Sequence, residues 1–430
     1  MSQAIAATLP AEKHPRGLYV LFFTEMWERF SFYTVGAMYV LYVQDAAQGF
    51  GWTRVQATSV FSFYLMFVYA SPLIGGLLAD LKLGYRRSVM IGGFFFMAGH
   101  ALLAFRNVPV MYAALACLVI GNGFFKPNVS AMVGNLYPEG SHLKDRAYNI
   151  FYMGINVGAF LAPLVAEFMT GRFGFHPAFA MGALGMVISV CVLWFFRGDV
   201  ATADKKPDRN RQLTAAERRP IDDVSDARRV GALLVMFVVV IVFWMVFHQN
   251  QVTLTYWAND NTDWNVTGII SNAINPGWVL LLTIPLIAFW GFLDRRGLEP
   301  STPTKMAIGM VLTGLAFYVM YFAGKAGGDF GKVSPWWLIG AYGVLTLGEL
   351  MLSPMGLSLV SKVAPIRLRG VMMGGWFVAT AIGNKLTAIG VFWDEWLHST
   401  FFAVLGTCAI VMSLVLLVLL KPLKKAMPGI

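Results

Sequence analysis

Long apolar runs, repeated from one end of the chain to the other, are the feature that most constrains the fold. Apolar length and the punctuation by glycine, proline and charge give about twelve runs of roughly 20 residues, each long enough to cross a hydrocarbon core of about 30 Å. Only 13% of the 430 residues are charged, against roughly 25% in an average soluble domain. The sequence therefore predicts an all-α membrane protein.

The predicted spans form two groups of six. The first six cover residues 18–43, 57–79, 88–105, 111–132, 149–169 and 178–196, and the second six cover residues 231–256, 267–292, 306–323, 336–363, 371–392 and 401–420. The stretch between the groups is rich in Asp, Glu, Lys and Arg, which is typical of a solvated linker. We expect an N-terminal six-helix bundle in residues 1–196, a charged cytoplasmic linker in 197–230 and a C-terminal six-helix bundle in 231–430.

The distribution of basic residues predicts the orientation. The net charge is +10, but the Lys and Arg side chains sit in short clusters between apolar runs, which does not favour a nucleic-acid partner. With both termini on one side, the loops of that side hold 25 Lys and Arg and the opposite loops hold five. The positive-inside rule then places both termini in the cytoplasm. The first run is too long and too interrupted by charge for a cleavable signal peptide, so we expect the first span to be retained.

Catalytic and redox signatures are missing from the sequence. It contains no His-Glu-x-x-His, Cys-x-x-Cys or Gly-x-Ser-x-Gly pattern, so we predict no enzyme, no metal site and no cofactor. Cys117, Cys191 and Cys408 all lie inside apolar runs, where a free thiol behaves as a small hydrophobe.

The two halves resemble each other in the connection after their second span. Gly75 to Asp80 is followed by Gly84-Tyr85-Arg86-Arg87, and Asp294-Arg295-Arg296-Gly297 stands in the matching place of the second half. A parallel six-helix repeat would leave this trace. Asp80 and Arg86 are candidates for a gating role, and an orientation signal with a tight turn is an equally good interpretation.

Span one carries three charges that lipid should exclude. A charge at mid-span costs at least about 2.5 to 3.5 kcal/mol on insertion scales, so it needs a partner, a wet cavity or a function. Glu25, Arg29 and Tyr33 follow at i, i+4 and i+8 on one helix face, with Glu28 beside them. Arg29 can pair with Glu25 and still present donors to a cavity. One of the two carboxylates is then a proton acceptor, and the alternative is a purely structural ion-pair network.

Spans four and ten, equivalent under the repeat, each place a charge next to a proline. Lys126 precedes Pro127, where we expect a break in the helix, and Glu349 lies a turn before Pro354. The two halves would then present Lys126 and Glu349 to a shared central cavity. The alternatives are a lysine that snorkels to the interface and a static Glu349–Lys126 strut.

A cavity with a carboxylate on one wall and cations on the other suits a ligand with a cationic end and an anionic end. Free peptides and amino acids have that shape. His248 in span seven is either a satisfied hydrogen-bonding group or a titrating site. Further side chains that could line such a cavity, although each alone is more readily explained by packing, are Tyr33, Tyr69, Asn156, Trp244, Asn275 and Trp376.

At this point the chain resembles the proton-dependent oligopeptide transporters of the major facilitator superfamily. The residues from Glu25 to Tyr33 are similar to that family's first-span motif, Glu-x-x-Glu-Arg-Phe-x-x-Tyr. Residues 75–84 are similar to its second-span signature, and residues 151–158 are similar to its fifth-span signature. Lys126, Glu349, Asn275-Pro276 and the stretch from Trp376 to Thr380 also stand where the family pattern would put them.

The resemblance implies a major facilitator fold and the inward co-transport of di- and tripeptides with protons, by alternating access. It implies that Arg29 and Lys126 receive the peptide carboxylate, that Glu349 receives the amino group, and that Glu25 and Glu28 take part in proton coupling. The remaining side chains that it implies for the binding site are Tyr33, Tyr69, Asn156, Trp244, Asn275, Trp376 and Thr380.

Two departures from the family pattern stand out. Gly36 replaces a basic residue seven positions after the motif arginine, and His248 replaces an acidic residue in span seven. In the family, that basic residue and that acidic residue are expected to pair across the outer gate, so here the gate must be held differently. We hypothesise that His248 titrates in place of the missing acid. The 34-residue linker also leaves no room for the extra helix pair that many bacterial members carry between the halves.

Another solute on the same fold, such as a drug, nitrate or a sugar, is the main alternative, because fold does not fix function. A receptor or channel is disfavoured by paired halves with opposed central charges. We expect a multi-pass protein of the plasma (inner) membrane that functions as a monomer.

Overall fold

The computed structural model describes residues 14–137, 143–204, 220–365 and 368–428, and they are almost entirely helical. Long helices lie at all twelve predicted positions within these ranges. They are α1 Arg16–Gln44, α2 Arg54–Leu78, α3 Tyr85–Leu102, α4 Val108–Asn135, α5 Leu143–Phe173, α6 Phe175–Phe195, α7 Asp226–Phe247, α8 Ser271–Asp294, α9 Thr302–Ala326, α10 Pro335–Val363, α11 Arg369–Leu386 and α12 His398–Val418. The all-α prediction is confirmed.

Nine helical segments in the described residues are long and apolar enough to cross a membrane. The segments below that standard are α1, α3 and α11, so their crossing stays a prediction. The described linker residues hold two short 3₁₀ turns, Ala201–Ala203 and Pro220–Asp223. Residues 205–219 lie outside the described residues. An extra helix pair is therefore not present in the described part of the linker.

The helices pack as two similar bundles. In the first, α1 packs on α5 and α6, and α3 packs on α4 and α6. The second repeats this order, with α7 on α11 and α12, and α9 on α10 and α12. Between the bundles α2 packs on α11 and α5 packs on α8, and these two contacts exchange under a six-helix repeat. The packing thus gives the two-bundle major facilitator architecture, while the exact boundaries of the halves remain a proposal.

The turns that follow α2 and α8 confirm the repeat seen in the sequence. Gly84 has a φ of 77° and Gly297 a φ of 67°, a left-handed conformation that glycine adopts without steric cost. Ala79–Leu83, which includes Asp80, forms a π-helical turn just before Gly84.

The helix break expected at Pro127 is wrong. α4 stays continuous through Pro127, because a helix tolerates a proline where a neighbouring helix packs against the freed carbonyl. α10 is likewise continuous through Pro354. The break comes instead in span seven, where α7 ends at Phe247 and a 3₁₀ turn, His248–Gln251, leads into the short helix Thr253–Asp260. His248 therefore lies at an interruption of the predicted helix.

Glycines set the distance between neighbouring helices in each half. A Cβ on Gly75 would lie 1.9 Å from the Gly123 carbonyl oxygen, the carbonyl that Pro127 leaves without its helical donor. In the second half a Cβ on Gly309 would lie 2.7 Å from the Gly348 carbonyl oxygen. Close backbone approach of this kind is how helices associate in lipid, where apolar burial gives little driving force. These close crossings fix the positions of Lys126 and Glu349 along the membrane normal, because both residues lie near them in the sequence.

Gly75→Ala should lower the apparent melting temperature of the purified protein by several degrees, because the new methyl group would meet backbone that cannot rotate away and overpacking costs about 1–3 kcal/mol. Gly76→Ala is the matched control, since its nearest contact would be 3.5 Å, with Pro127. Thermal unfolding in detergent, followed by size-exclusion chromatography, measures both. Equal stability of the two variants would contradict the close α2–α4 crossing.

Candidate functional site

The three charges of span one lie together inside the N-terminal bundle. Glu25, Glu28 and Arg29 are each at most 1% exposed. Arg29 makes a two-pronged ion pair with Glu28, from Nε to Oε2 and from a terminal nitrogen to Oε1, both at 2.5 Å. The Glu25 carboxylate is 3.5 Å from Arg29 Nε. The predicted Glu25 pair therefore exists, but Glu28 is the main partner because it alone makes a two-pronged contact with the guanidinium.

Asn122 is a second hydrogen-bond partner of Arg29. Its Oδ1 accepts a hydrogen bond from Arg29 at 3.1 Å, and its Nδ2 donates to the Val68 carbonyl at 2.8 Å. The guanidinium also lies 4.8 Å from the centre of the Phe32 ring. α1, α2 and α4 thus hold one arginine in common. Sequence analysis did not select Asn122, although it lies between Gly121 and Gly123 in the motif that contains Lys126.

Glu25 is the less satisfied of the two carboxylates. Neither of its oxygens has a hydrogen-bond partner among the described residues, although both are buried. A buried carboxylate without donors is costly in its charged form. Of the two predicted proton-coupling acids, Glu25 is therefore the one whose charge is less well compensated by hydrogen bonds.

Lys126 belongs to a second group, which joins the two halves. Its ammonium lies 5.2 Å from the centre of the Tyr69 ring, and the Tyr69 hydroxyl is 3.4 Å from His248 Nε2. The Trp244 and His248 rings lie 4.9 Å apart. Trp244 Nε1 and His248 Nδ1 are buried and have no hydrogen-bond partner among the described residues. The structure thus brings four of the predicted residues together.

Glu349 lies in a third group, in the C-terminal half. Asn275 Nδ2 donates to Glu349 Oε2 at 2.8 Å and to Thr346 Oγ1 at 2.9 Å. Lys126 and Glu349 are both described, and no ion pair within 4.0 Å joins them. The static strut is therefore absent in this conformation.

The other predicted binding residues are held within their own helices or by packing. Asn156 Nδ2 donates to the Tyr152 carbonyl at 2.9 Å and Thr380 Oγ1 to the Trp376 carbonyl at 3.0 Å. Trp376 is 4% exposed. Tyr33 is partly buried beside Phe32, with ring centres 5.2 Å apart.

The candidate gating residues Asp80 and Arg86 lie away from these three groups, where α2 turns into α3. Tyr85 donates its hydroxyl to Asp80 at 2.9 Å. The backbone N–H groups of Tyr85 and Arg86 donate to Asp204 Oδ1 at 2.8 and 3.1 Å. The start of the linker therefore caps the N-terminus of α3.

Polar contacts between the halves cluster at the end of the molecule that holds the α1–α2 connection, opposite the α2–α3 turn. We call this the distal end. Arg54 at the start of α2 binds Asp394 Oδ1 at 2.7 Å and also binds Asp260. We call these three residues the distal gate. Thr58 and Tyr256 share a hydrogen bond of 3.0 Å one turn deeper. From the sequence, Arg54 was counted only as a loop charge. Asp260 and Asp394, acids in connections on the same side of the membrane, were the feature that could have indicated its partners.

Gly36, at the position of the missing basic residue, contacts Gln251 instead. A Cβ on Gly36 would lie 3.0 Å from Gln251 Nε2, so the absent side chain leaves the space that the amide fills. A neutral contact thus takes the place of the expected ion pair between the first and seventh spans, and the distal gate supplies the charged contact.

Comparison with known proteins agrees with this architecture. Residues 21–383 match the family model described as the Major Facilitator Superfamily. The chain is 30% identical to the di-/tripeptide transporter of Lactococcus lactis subsp. lactis, with 96% of each chain covered. It is 30% identical to dipeptide and tripeptide permease A of Salmonella typhimurium, with 88% of this chain and 84% of the relative covered. The crystal structure of a peptide transporter POT in complex with sulfate superposes with a TM-score of 0.88, at 31% identity and with 99% of each chain covered.

Arg54→Gln should raise the proportion of molecules that are open at the distal end. Arg54 and its partners are partly exposed, at 28%, 34% and 54%, and exposed pairs are worth roughly 0.2–1 kcal/mol each. With both pairs lost, the ratio of distal-open to distal-closed molecules should therefore rise about two- to thirtyfold. Spin labels at Ala104→Cys and Lys332→Cys, on exposed distal loops of the two halves, measure this distance by electron resonance after the native cysteines are replaced.

Arg106→Gln provides the matched control for this measurement. Arg106 is also a distal arginine, but its hydrogen bonds go to carbonyls of the first half alone, at Ala46, Ala47 and Gly49. Its loss should leave the distance distribution unchanged. An equal response to both substitutions would refute the gate assignment.

Proposed function

Because the chain belongs to the proton-dependent oligopeptide transporter family of the major facilitator superfamily, we propose that it takes up di- and tripeptides together with protons. The observation that carries the proposal is the separation of Lys126 and Glu349, which lie in opposite halves with no ion pair between them. A zwitterionic peptide supplies the two charges that these side chains lack. It would bridge the halves and so couple its own binding to their movement.

Each end of the peptide has a proposed receptor. Lys126 and Arg29 receive the carboxylate, and Glu349 receives the amino group while Asn275 holds its carboxylate in place. The aromatic rings of Tyr33, Tyr69, Trp244 and Trp376, with Asn156 and Thr380, form walls that tolerate different peptide side chains.

Proton coupling is proposed to reside in the span-one cluster. Glu28 remains paired with Arg29, while Glu25 takes up and releases the proton. Uptake at Glu25 leaves Arg29 with one anionic partner, which frees part of the guanidinium for the peptide carboxylate. Release of the proton restores the Glu25 contact and weakens the hold on the product.

The transport cycle follows from the position of the contacts between the halves. With the distal gate closed, the cavity would open toward the proximal end, where the termini lie. By the charge distribution the proximal end is cytoplasmic, so this conformation would be the one that releases peptide into the cell. Opening of the distal end would require Arg54 to separate from both acids. Asp80 and Arg86 are proposed to take part in gating at the proximal end. We propose that the chain works in the plasma (inner) membrane as a monomer, without a cofactor.

Glu349→Ala should abolish dipeptide uptake, and Lys126→Ala should remove proton-driven accumulation, because each change removes the receptor for one charged end. Counterflow and pH-driven uptake of labelled dialanine in proteoliposomes measure the two. Other dipeptides should compete and free alanine should not, which distinguishes peptides from drugs, nitrate and sugars. Glu299→Ala and Lys332→Ala, on exposed positions, are the controls. Concentrative uptake at the normal rate by either folded site variant would rule out the assigned roles.

His248→Gln tests whether this histidine titrates during transport. Glutamine can keep a hydrogen bond with Tyr69 but cannot gain a proton, whereas histidine has a reference pKa of about 6.5. The pH dependence of proton-driven uptake between pH 5 and 8 should change if His248 supplies a proton site. An unchanged profile would leave His248 as a neutral contact. His176→Gln on the distal surface serves as the control.

A further inference from the structure

The two acids of the distal gate are both attached to one cluster of buried aromatic rings. Asp394 directly follows Trp393, and Asp260 lies one helical turn after Trp257. Trp257 and Trp393 are 0% exposed and their ring centres lie 6.5 Å apart, nearly perpendicular. The positions of both acids are therefore fixed by the same packed group, which we call the aromatic block.

His398 is the element of the block that touches both tryptophans. Its ring stacks on Trp393 with centres 4.0 Å apart and an angle of 11°, and it meets the edge of Trp257 at 5.7 Å. Phe330 closes the other side at 5.0 Å. His398 is 5% exposed. A flat side chain at this point sets the plane of the Trp393 ring. Because Asp394 is the next residue, it also sets the orientation of the Asp394 side chain.

The residue after His398 anchors it to a neighbouring loop. The Ser399 N–H donates to Asp329 Oδ1 at 2.6 Å, and Lys325 lies 3.6 Å from the same carboxylate. Burial alone would raise the pKa of the Asp329 carboxyl, but the hydrogen bonds from Ser399 and the Lys325 ammonium outweigh it and lower the pKa. Asp329 thus remains charged at neutral pH and caps the start of α12.

The gate acids need such positioning. Asp260 is the last residue of the helix Thr253–Asp260, where the helix dipole disfavours a negative charge. Asp394 is 54% exposed in a loop, where a free carboxylate samples several directions. Arg54 can bind both at once only if their backbones are held at a fixed separation.

The block is a poor arrangement if stability is its sole role. Trp257 Nε1, Trp393 Nε1 and His398 Nδ1 are all buried without a hydrogen-bond partner among the described residues. A buried polar nitrogen without a partner lowers stability, and an apolar side chain of similar volume relieves that cost. Leucine at position 398 would relieve the cost at Nδ1, but it would also lose the hydrogen bond that His398 makes with the Asp329 backbone.

We infer that His398 is a positioning residue of the distal gate, which acts through Trp393 and Trp257 on the two acids that bind Arg54. Its flat ring, rather than its burial, is the property that matters. The inference rests on the proposed transport cycle, in which the distal gate must open and close.

His398→Leu should raise the ratio of distal-open to distal-closed molecules about two- to tenfold, the range expected for one aromatic stacking contact. His398→Phe, which keeps a flat ring, should stay within twofold of the unchanged protein. The spin-label pair at Ala104→Cys and Lys332→Cys reports the ratio, and thermal unfolding shows that each variant is folded. His176→Leu is the matched control, because His176 lies at the start of α6, the repeat partner of α12, and contacts Tyr42 but no gate residue.

A double substitution separates positioning from general loosening. If His398 acts through the two gate acids, His398→Leu should add little to the distal opening that Arg54→Gln alone produces, because Arg54→Gln removes both ion pairs. Additive effects, or an unchanged ratio in His398→Leu, would overturn the inference. The measurement needs no substrate, so it can fail while dialanine counterflow still supports the proposed function, and the reverse also holds.

Discussion

A guanidinium inside a bilayer has to be neutralised within the reach of its own side chain, and the rest of this structure is arranged around that requirement. Glu28 meets it with a two-pronged contact, and Asn122 accepts a further hydrogen bond from one of the two nitrogens that bind Glu28. Because one carboxylate is sufficient, Glu25 is left buried without a hydrogen-bond donor of its own. In the proposed function, the imbalance of two acids and one guanidinium makes the cluster responsive to protons, while the Glu28 pair keeps it assembled in either protonation state.

The glycine crossings translate that local arrangement into a rigid half. The same device recurs at the α3–α4 and α9–α10 interfaces, where the backbones of Gly92 and Gly121 and of Gly309 and Gly348 approach each other. Dense backbone contact within each half contrasts with side-chain contacts between halves, such as Thr58 with Tyr256. Side chains can exchange partners far more readily than packed backbones can separate. Movement is therefore expected between the halves rather than within them.

Sequence reasoning predicted the fold well because lipid leaves few choices. Apolar length located the helices, and the turn glycines Gly84 and Gly297 revealed the repeat. Lys126 and Glu349 were selected from the sequence because a charge placed in lipid is costly, whereas their contacts with Tyr69 and with Asn275 are seen only in the structure. Other features depended on information that no linear pattern carries. The preference of Arg29 for Glu28 is a matter of side-chain direction, and the continuity of α4 through Pro127 depends on how closely α2 approaches it.

The distal gate was missed for a related reason. Arg54, Asp260 and Asp394 lie in three connections far apart in sequence, each ordinary for a loop. Gly36 and His248 indicated only that the usual pair was absent. In the structure the neutral Gly36–Gln251 contact and the charged gate lie at different depths, so closure does not require an ion pair beside the span-one cluster. A charge next to Arg29 and the Glu25 carboxylate would bias their protonation whenever the gate moved. With the charged contact moved to the surface and its acids held by the aromatic block, gate movement and proton binding can act on separate groups of residues.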